Sequence, residues 1–182
     1  IITPETSFPC HGGFVFNRFK LGCHAHSSPI PLKPAIATSC NAYFCWGLHR
    51  MFGSSKYPGG TKEAMNKWRD YMVSMGFGYR LGIDLPGEAR GMIPNAEYYT
   101  KHYGNYWRAV TVISISIGQG EVTLTPLQIA NLGATIANRG SYITPHMVKK
   151  IEGDTISSEF TTRKNTMVSP GVYEEIIRGM RL

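Results

Sequence analysis

Long apolar runs are absent. No stretch of about 18 apolar residues occurs in the 182-residue chain, so nothing in it reads as a membrane-spanning helix. The opening IITPETSFPCHGG has neither the basic end nor the apolar middle of a secretory signal. An initiator Met is also missing, and EEIIRGMRL breaks off inside a helix-like pattern, so both ends read as cut and the chain as a piece of a longer protein. Repeats and low-complexity tracts are lacking, which removes solenoids and disordered linkers. Charge is sparse, at 17% of residues, but unbalanced, with a formal net charge of +7 and a pI near 9.3. The Lys and Arg residues are scattered, VKK is their densest run and no nucleic-acid signature accompanies them, so no nucleic acid is expected as a partner. Anionic lipid or cell-wall polymer suits such a surface at least as well.

What is present is material for one ordinary core, with 42% hydrophobic residues. Residues 1–31 carry Pro, Gly, His and Cys without periodicity and read as a loop-rich opening. A helix is expected from about Lys33 to Phe52, with Pro34 in its first turn, where a missing N–H costs little. SSKYPGG is a turn. Thr61 reads as the N-cap of a helix reaching Ser74, with Met65, Trp68, Met72 and Met75 at helical spacing and Gly76 as its stop. GIDLPGEARGMIPN is an irregular connection, Asn95 caps a short helix over AEYYTKHY, and AVTVISISIG alternates like a strand. Thr125 and Pro126 form an N-cap with Pro at the first helical position. The following run, Leu127 to Ala137, is apolar nearly all round, which marks a buried helix, and Asn138-Arg139-Gly140 ends it in a left-handed cap. YITPHMVKKI reads as an edge strand, and Ser169-Pro170 opens a last helix. Trp46, Trp68 and Trp107 are most simply core. The fold class is α/β with helix in the majority.

Two stretches carry chemistry. In IATSCNAYFCWGLHRMF, residues 36–52, Ser39 and Asn41 would point about 200° apart on a continuous helix. Either the Ser caps or bends the helix, or the pair serves something outside it. The second stretch holds Cys10, Cys23, His24 and His26 in a C-x12-C-H-x-H pattern. Two thiolates with one or two imidazoles suffice for tetrahedral zinc, although the spacing is not that of a standard finger. In an extended segment only one of His24 and His26 would face a given metal. Free thiols are the alternative. Cys40 and Cys45 lie in an apolar helical run and read as small core residues. Few apolar anchors (Phe8, Phe14, Phe16, Leu21) and three glycines (Gly12, Gly13, Gly22) frame the segment from Cys10 to His26, so a metal or cross-link rather than packing is expected to fix it.

The motifs ITPETSFPCHGGF, SCNAYF, GIDLPGEARGMIP and SIGQGEVTLTPLQIANLGATIANRG occur in the order and spacing of penicillin-binding proteins. The resemblance covers nearly the whole chain and is strongest to class B, elongation-type enzymes. It implies a transpeptidase domain built as an antiparallel sheet flanked by helices, acting on peptidoglycan stem peptides and acylated by β-lactams. It also implies the cell-elongation machinery as partner, a periplasmic, membrane-anchored parent, and no cofactor required for catalysis. The family's chemistry uses a nucleophilic Ser-x-x-Lys, a Ser-x-Asn and a Lys-Thr/Ser-Gly strand. Ser39 and Asn41 match the second, which in the family sits on a turn between helices. The helix from Lys33 is therefore expected to break there, with Ser39 relaying a proton and Asn41 holding the acyl-donor peptide. Gln119 is expected to be structural.

No Ser in the chain has a Lys three residues on, and no Lys precedes Ser-Gly or Thr-Gly. In the family these motifs lie before ITPET and after GMRL, so residues 1–182 read as an incomplete transpeptidase domain, inactive alone and prone to self-association. The exported location that the resemblance implies permits a Cys10–Cys23 disulfide, and a structural metal in this loop of some related enzymes keeps zinc open. A different reading is an independently folding, zinc- or disulfide-stapled binding module with a basic surface.

Overall fold

The computed structural model describes residues 1–182, and the chain divides into two compact units. The first comprises residues 1–68, 94–121 and 174–182; the second comprises 69–93 and 122–173. Helix predominates. The strands form two antiparallel pairs, so the helix-rich α/β expectation with antiparallel strands holds.

In the first unit, β1 (Gly13–Phe16) and β2 (Phe19–Gly22) make a hairpin within the opening segment, for which the lack of periodicity predicts loop. Phe14 is the reason. It is fully buried and meets Trp46 edge-on at 4.6 Å between ring centres, so the hairpin has a packed anchor as well as its ladder. Gly13, at φ 149°, is required where it stands: a Cβ there would lie 2.2 Å from the Leu21 carbonyl oxygen. Helices α1 (Leu32–Ala37) and α2 (Asn41–Phe52) replace the single helix of the first reading, and the break falls at Thr38–Cys40. Helix α2 packs on the hairpin and on a 3-10 helix, Ala109–Ile117. The last segment is AVTVISISI, for which the alternation predicted a strand. Packing against α2 overrides that propensity: Val112, Ile113 and Ile115 are buried, and Gly118 at φ 71° closes the element. Helix α4 (Ala96–Tyr103) begins at Asn95, whose Oδ1 accepts from Tyr98 N, as expected. The Tyr99 and Tyr103 hydroxyls both donate to Glu121 at 2.9 Å, and Gln119 N donates to Ser114 O, so Gln119 is held by its backbone in the Gly-flanked turn. Helix α3 runs Gly60–Ser74 with Met65 wholly buried.

In the second unit the governing element is α5 (Pro126–Ala137), opened by a reciprocal cap between Thr125 and Gln128. The expectation of a helix buried all round needs correction. Its inward face is polar. Gln128, only 1% exposed, donates to the Tyr79 and Arg90 carbonyls at 2.9 and 3.0 Å, and Asn131 and Thr135 are buried beside it. Gln128 thereby satisfies Arg90 within the irregular GIDLPGEARGMIP connection and Tyr79 just before it, Asn131 Nδ2 reaches the Met75 carbonyl at 3.5 Å, and Glu88 braces the connection by accepting from Leu81, Gly82 and Ile83 N. Gly91 (φ 62°) lies so close that a Cβ would be 2.5 Å from Thr123 O. The apolar side of α5 faces outward instead, with Ile129 57% exposed and Ala130, Gly133, Ala134 and Ala137 open beside it. Arg139 (φ 56°) and Gly140 (φ 100°) end the helix as read. The edge strand predicted over YITPHMVKKI is confined to β3 (Ser141–Tyr142), paired with β4 (Lys164–Asn165); beyond it, Asp84 accepts the Met147 and Val148 N–H groups that a ladder would have used. Helix α6 spans Pro170–Met180.

An apolar helix face left in water favours association. The isolated chain is expected to show concentration-dependent sedimentation, and Ile129→Lys to shift it toward monomer. A sharp, concentration-independent monomer for the unaltered chain would contradict this.

Candidate active-site turn and thiol–imidazole cluster

The break between α1 and α2 is a helix terminator built without glycine. Cys40 N donates to Ala35 O at 2.9 Å and Ser39 N to Ile36 O at 3.1 Å, the paired bonds of a Schellman ending. Ser39 occupies the left-handed position, at φ 50°, where glycine is usual and an L-residue costs about 1–2 kcal/mol. Thr38 adds a side-chain bond to Pro34 O at 2.8 Å. The result is that Ser39 stands exposed, with no hydrogen-bond partner for its hydroxyl within the chain. Cys40 then serves as N-cap of α2, its Sγ accepting from Tyr43 N at 3.3 Å, and Asn41 is the first helical residue. The simple capping reading of Ser39 therefore fails, because Cys40 is the cap. Asn41 Nδ2 donates to Gly22 O at 3.0 Å, which fixes the amide and leaves its oxygen available. Ser39 and Asn41 thus flank Cys40 at the break between α1 and α2.

The same turn is one wall of a metal-competent cluster. Cys10, Cys23, His26 and Cys40 place their Sγ and imidazole N atoms within 4.8 Å of one another. Two closures gather them. The Phe8–Ile30 antiparallel bridge and the hairpin β1–β2 pinch the opening segment, which delivers Cys10, Cys23 and His26 to the N-terminus of α2. All four cysteines are free thiols, so the Cys10–Cys23 disulfide is not formed. His24 does not join: its Nε2 turns to the Thr38 carbonyl oxygen. His26 contributes instead, with Nδ1 on Ser27 O at 2.8 Å and Nε2 toward Cys23 Sγ at 3.5 Å. The other correction is Cys40, read from sequence as passive core. It is fully buried, yet its sulfur lies in the cluster. Only its place beside Ser39, and the x13 spacing from His26, could have pointed to it. Cys45 remains core as expected, accepting a weak bond from the Ser116 hydroxyl.

The electrostatics of the four differ. Burial works against the Cys23 thiolate, but the His26 ring, the Asn41 and Ala42 N–H groups and the Cys10 side chain outweigh it and bring the thiol down to about 7. His26 is raised by its bond to Ser27 O and by Cys23. Burial pushes Cys40 up to about 12. A tetrahedral zinc with sulfur and nitrogen ligands needs donor separations of about 3.4–3.8 Å, so a contraction of well under an ångström per ligand would close the set.

The whole chain, residues 1–182, matches the family model described as the penicillin binding protein transpeptidase domain. Peptidoglycan D,D-transpeptidase MrdA of Acinetobacter baumannii is 37% identical over 134 residues, covering 74% of this chain and 18% of that protein. MrdA of Haemophilus influenzae is 31% identical over 157 residues, covering 84% of this chain and 22% of its own length. The chain thus spans about a fifth of the curated relatives it matches. Among solved structures, Pseudomonas aeruginosa PBP2 in complex with WCK 5153 superposes with a TM-score of 0.78 at 25% identity, covering 98% of this chain and 37% of that one. The Helicobacter pylori complex of PBP2 with MreC shares the fold, with a TM-score of 0.74 at 22% identity over 99% of this chain and 31% of that one. With its match running from end to end, this chain belongs to the penicillin-binding transpeptidase family.

Proposed function

We propose that residues 1–182 are the central part of the catalytic domain of an elongation-type peptidoglycan D,D-transpeptidase, which cross-links stem peptides through an acyl-serine intermediate and is acylated by β-lactams. The observation that carries this is Ser39, held in a left-handed conformation with a free hydroxyl beside the anchored Asn41. A position that favours glycine on backbone grounds is filled by the one small residue that adds a hydroxyl. In this reading the serine nucleophile and its lysine come from a Ser-x-x-Lys outside this chain. Ser39 passes the proton released on acylation toward the leaving amine, and Asn41 Oδ1 accepts from the acyl-donor peptide. The substrate carboxylate is met by a Lys-Thr/Ser-Gly strand, also outside the chain. The enzyme works at the extracytoplasmic face of the inner membrane, through an anchor outside this chain, alongside the elongation machinery. The alternative of an independent stapled module loses ground to the end-to-end family match.

Catalysis in the family requires no cofactor. The cluster is a separate matter: Cys10, Cys23, His26 and Cys40 fit a structural zinc, three thiolates and one imidazole being a closed, catalytically inert donor set. Such a metal supplies a cross-link between the opening segment and α2 and leaves the acyl transfer to the serine machinery.

The chain alone should form no stoichiometric, denaturation-resistant adduct with a fluorescent penicillin, since it holds no nucleophile–lysine pair. In the complete enzyme Asn41→Ala should slow acylation by about one to three decades, the range for losing one polar contact to the reacting group. Labelling of the chain itself, or an unchanged rate in the variant, contradicts the reading.

Native mass spectrometry should find one zinc, lost on chelation. Cys40→Ser should weaken its binding steeply, and His24→Ala should leave it intact. A metal dependent on His24 rather than Cys40 would overturn the ligand set.

A further inference from the structure

Resting on the structural-metal reading, we infer that the three thiols make the cluster a redox-responsive clamp on the Ser39–Asn41 turn: two-electron oxidation of Cys23 and Cys10 to a disulfide releases the metal and frees the turn. A metal site of carboxylates and imidazoles could not respond this way, because only thiolates are oxidised at such modest potentials. The three sulfurs lie within 4.8 Å of one another, so closing a disulfide asks two of them to approach by at most about 2.7 Å.

Exposure and proximity assign the order. Cys23 is half-buried, whereas Cys10 is 6% exposed and Cys40 is fully covered, so an oxidant meets Cys23 first. Of the two remaining thiols Cys10 is the more accessible, and its sulfur lies within 4.8 Å of Cys23 Sγ, so it is the resolving thiol. Cys40 Sγ is occupied by the Tyr43 N–H that caps α2. With a peroxide as oxidant, the Cys23 sulfur attacks one oxygen and the O–O bond breaks, leaving a sulfenic acid and one water. The Cys10 sulfur then displaces the hydroxyl, which leaves as a second water, and the S–S bond forms. Each sulfur gives up one electron and the peroxide takes both; because the metal-bound sulfurs are thiolates, the two protons that complete the waters come from solvent as zinc leaves. His26 and Cys40 alone do not retain the metal.

The consequence follows from the position of Cys40 between Ser39 and Asn41. With the metal bound, the sulfur of Cys40 ties the turn to the opening segment. Without it, the side-chain ties across this face are the Asn41 bond to Gly22 O and the His24 bond to Thr38 O, each one residue from the oxidised Cys23. Ser39 then has only the local Schellman bonds to hold a conformation that an L-residue disfavours.

The test treats the complete, zinc-loaded enzyme with hydrogen peroxide while a chromogenic chelator reports free zinc. One zinc per chain should appear together with a mass loss of two hydrogens. Peptide mapping should place the new link between Cys10 and Cys23. Acylation by a fluorescent penicillin should fall by roughly tenfold or more and recover on treatment with a thiol reductant and zinc. Cys45→Ala, outside the cluster, should respond like the parent. A zinc-loaded enzyme that forms no disulfide, a link to Cys40, or acylation indifferent to oxidation each overturns the inference. An enzyme that purifies without zinc and takes none up overturns the metal reading beneath it.

Discussion

The left-handed backbone at Ser39 is the constraint on which the rest of the site depends. Two helices must meet at an angle there, and the Schellman bonds to Ala35 and Ile36 supply the turn. Because the terminator uses a serine where glycine would be easier, about 1–2 kcal/mol of strain has to be balanced by surrounding structure. Cys40 provides part of that balance as the cap of α2, and the packing of Tyr43, Leu48 and Phe52 into the core holds the second helix in place. Strain at the turn, a hydroxyl projected into solvent and a thiol projected into the cluster are three results of one short stretch of backbone.

The opening segment is tied to the same point from the other side. Phe14 and Trp46 anchor the hairpin to α2, and Asn41 Nδ2 holds Gly22 O. The sequence reading expected a metal or cross-link to stand in for packing between Cys10 and His26. Packing holds the segment where little was expected, since the phenyl ring of Phe14 is wholly buried, and the thiol–imidazole cluster gathers at the far end. The thiol–imidazole cluster and the Ser-x-Asn turn are consequently parts of one arrangement, joined through Cys40.

Local chemistry was the legible part. Asn95, Thr125 and Pro126 announce their helix starts because capping depends on the side chain at one position. The break at Ser39 was readable only through resemblance, since a Ser followed two residues on by Asn carries little information alone. What failed depended on tertiary surroundings. AVTVISISI has strand-like alternation, but the face of α2 selects a 3-10 helix. Residues 143–148 leave the ladder after β3, and Asp84 takes the Met147 and Val148 N–H groups. The choice of His26 over His24, and of Cys40 as a donor, required knowing that the Phe8–Ile30 bridge and the hairpin fold the segment back on α2. No local pattern encodes that.

The central claim is that Ser39 is present for its hydroxyl and tolerated by the backbone. Ser39→Gly in the complete enzyme separates the two, because glycine suits φ 50° better while removing the oxygen. The account predicts a melting temperature unchanged or raised, with β-lactam acylation slowed by about two to four decades, the range for losing a proton-transfer group. Acylation at the parental rate in a stably folded Ser39→Gly enzyme would contradict it.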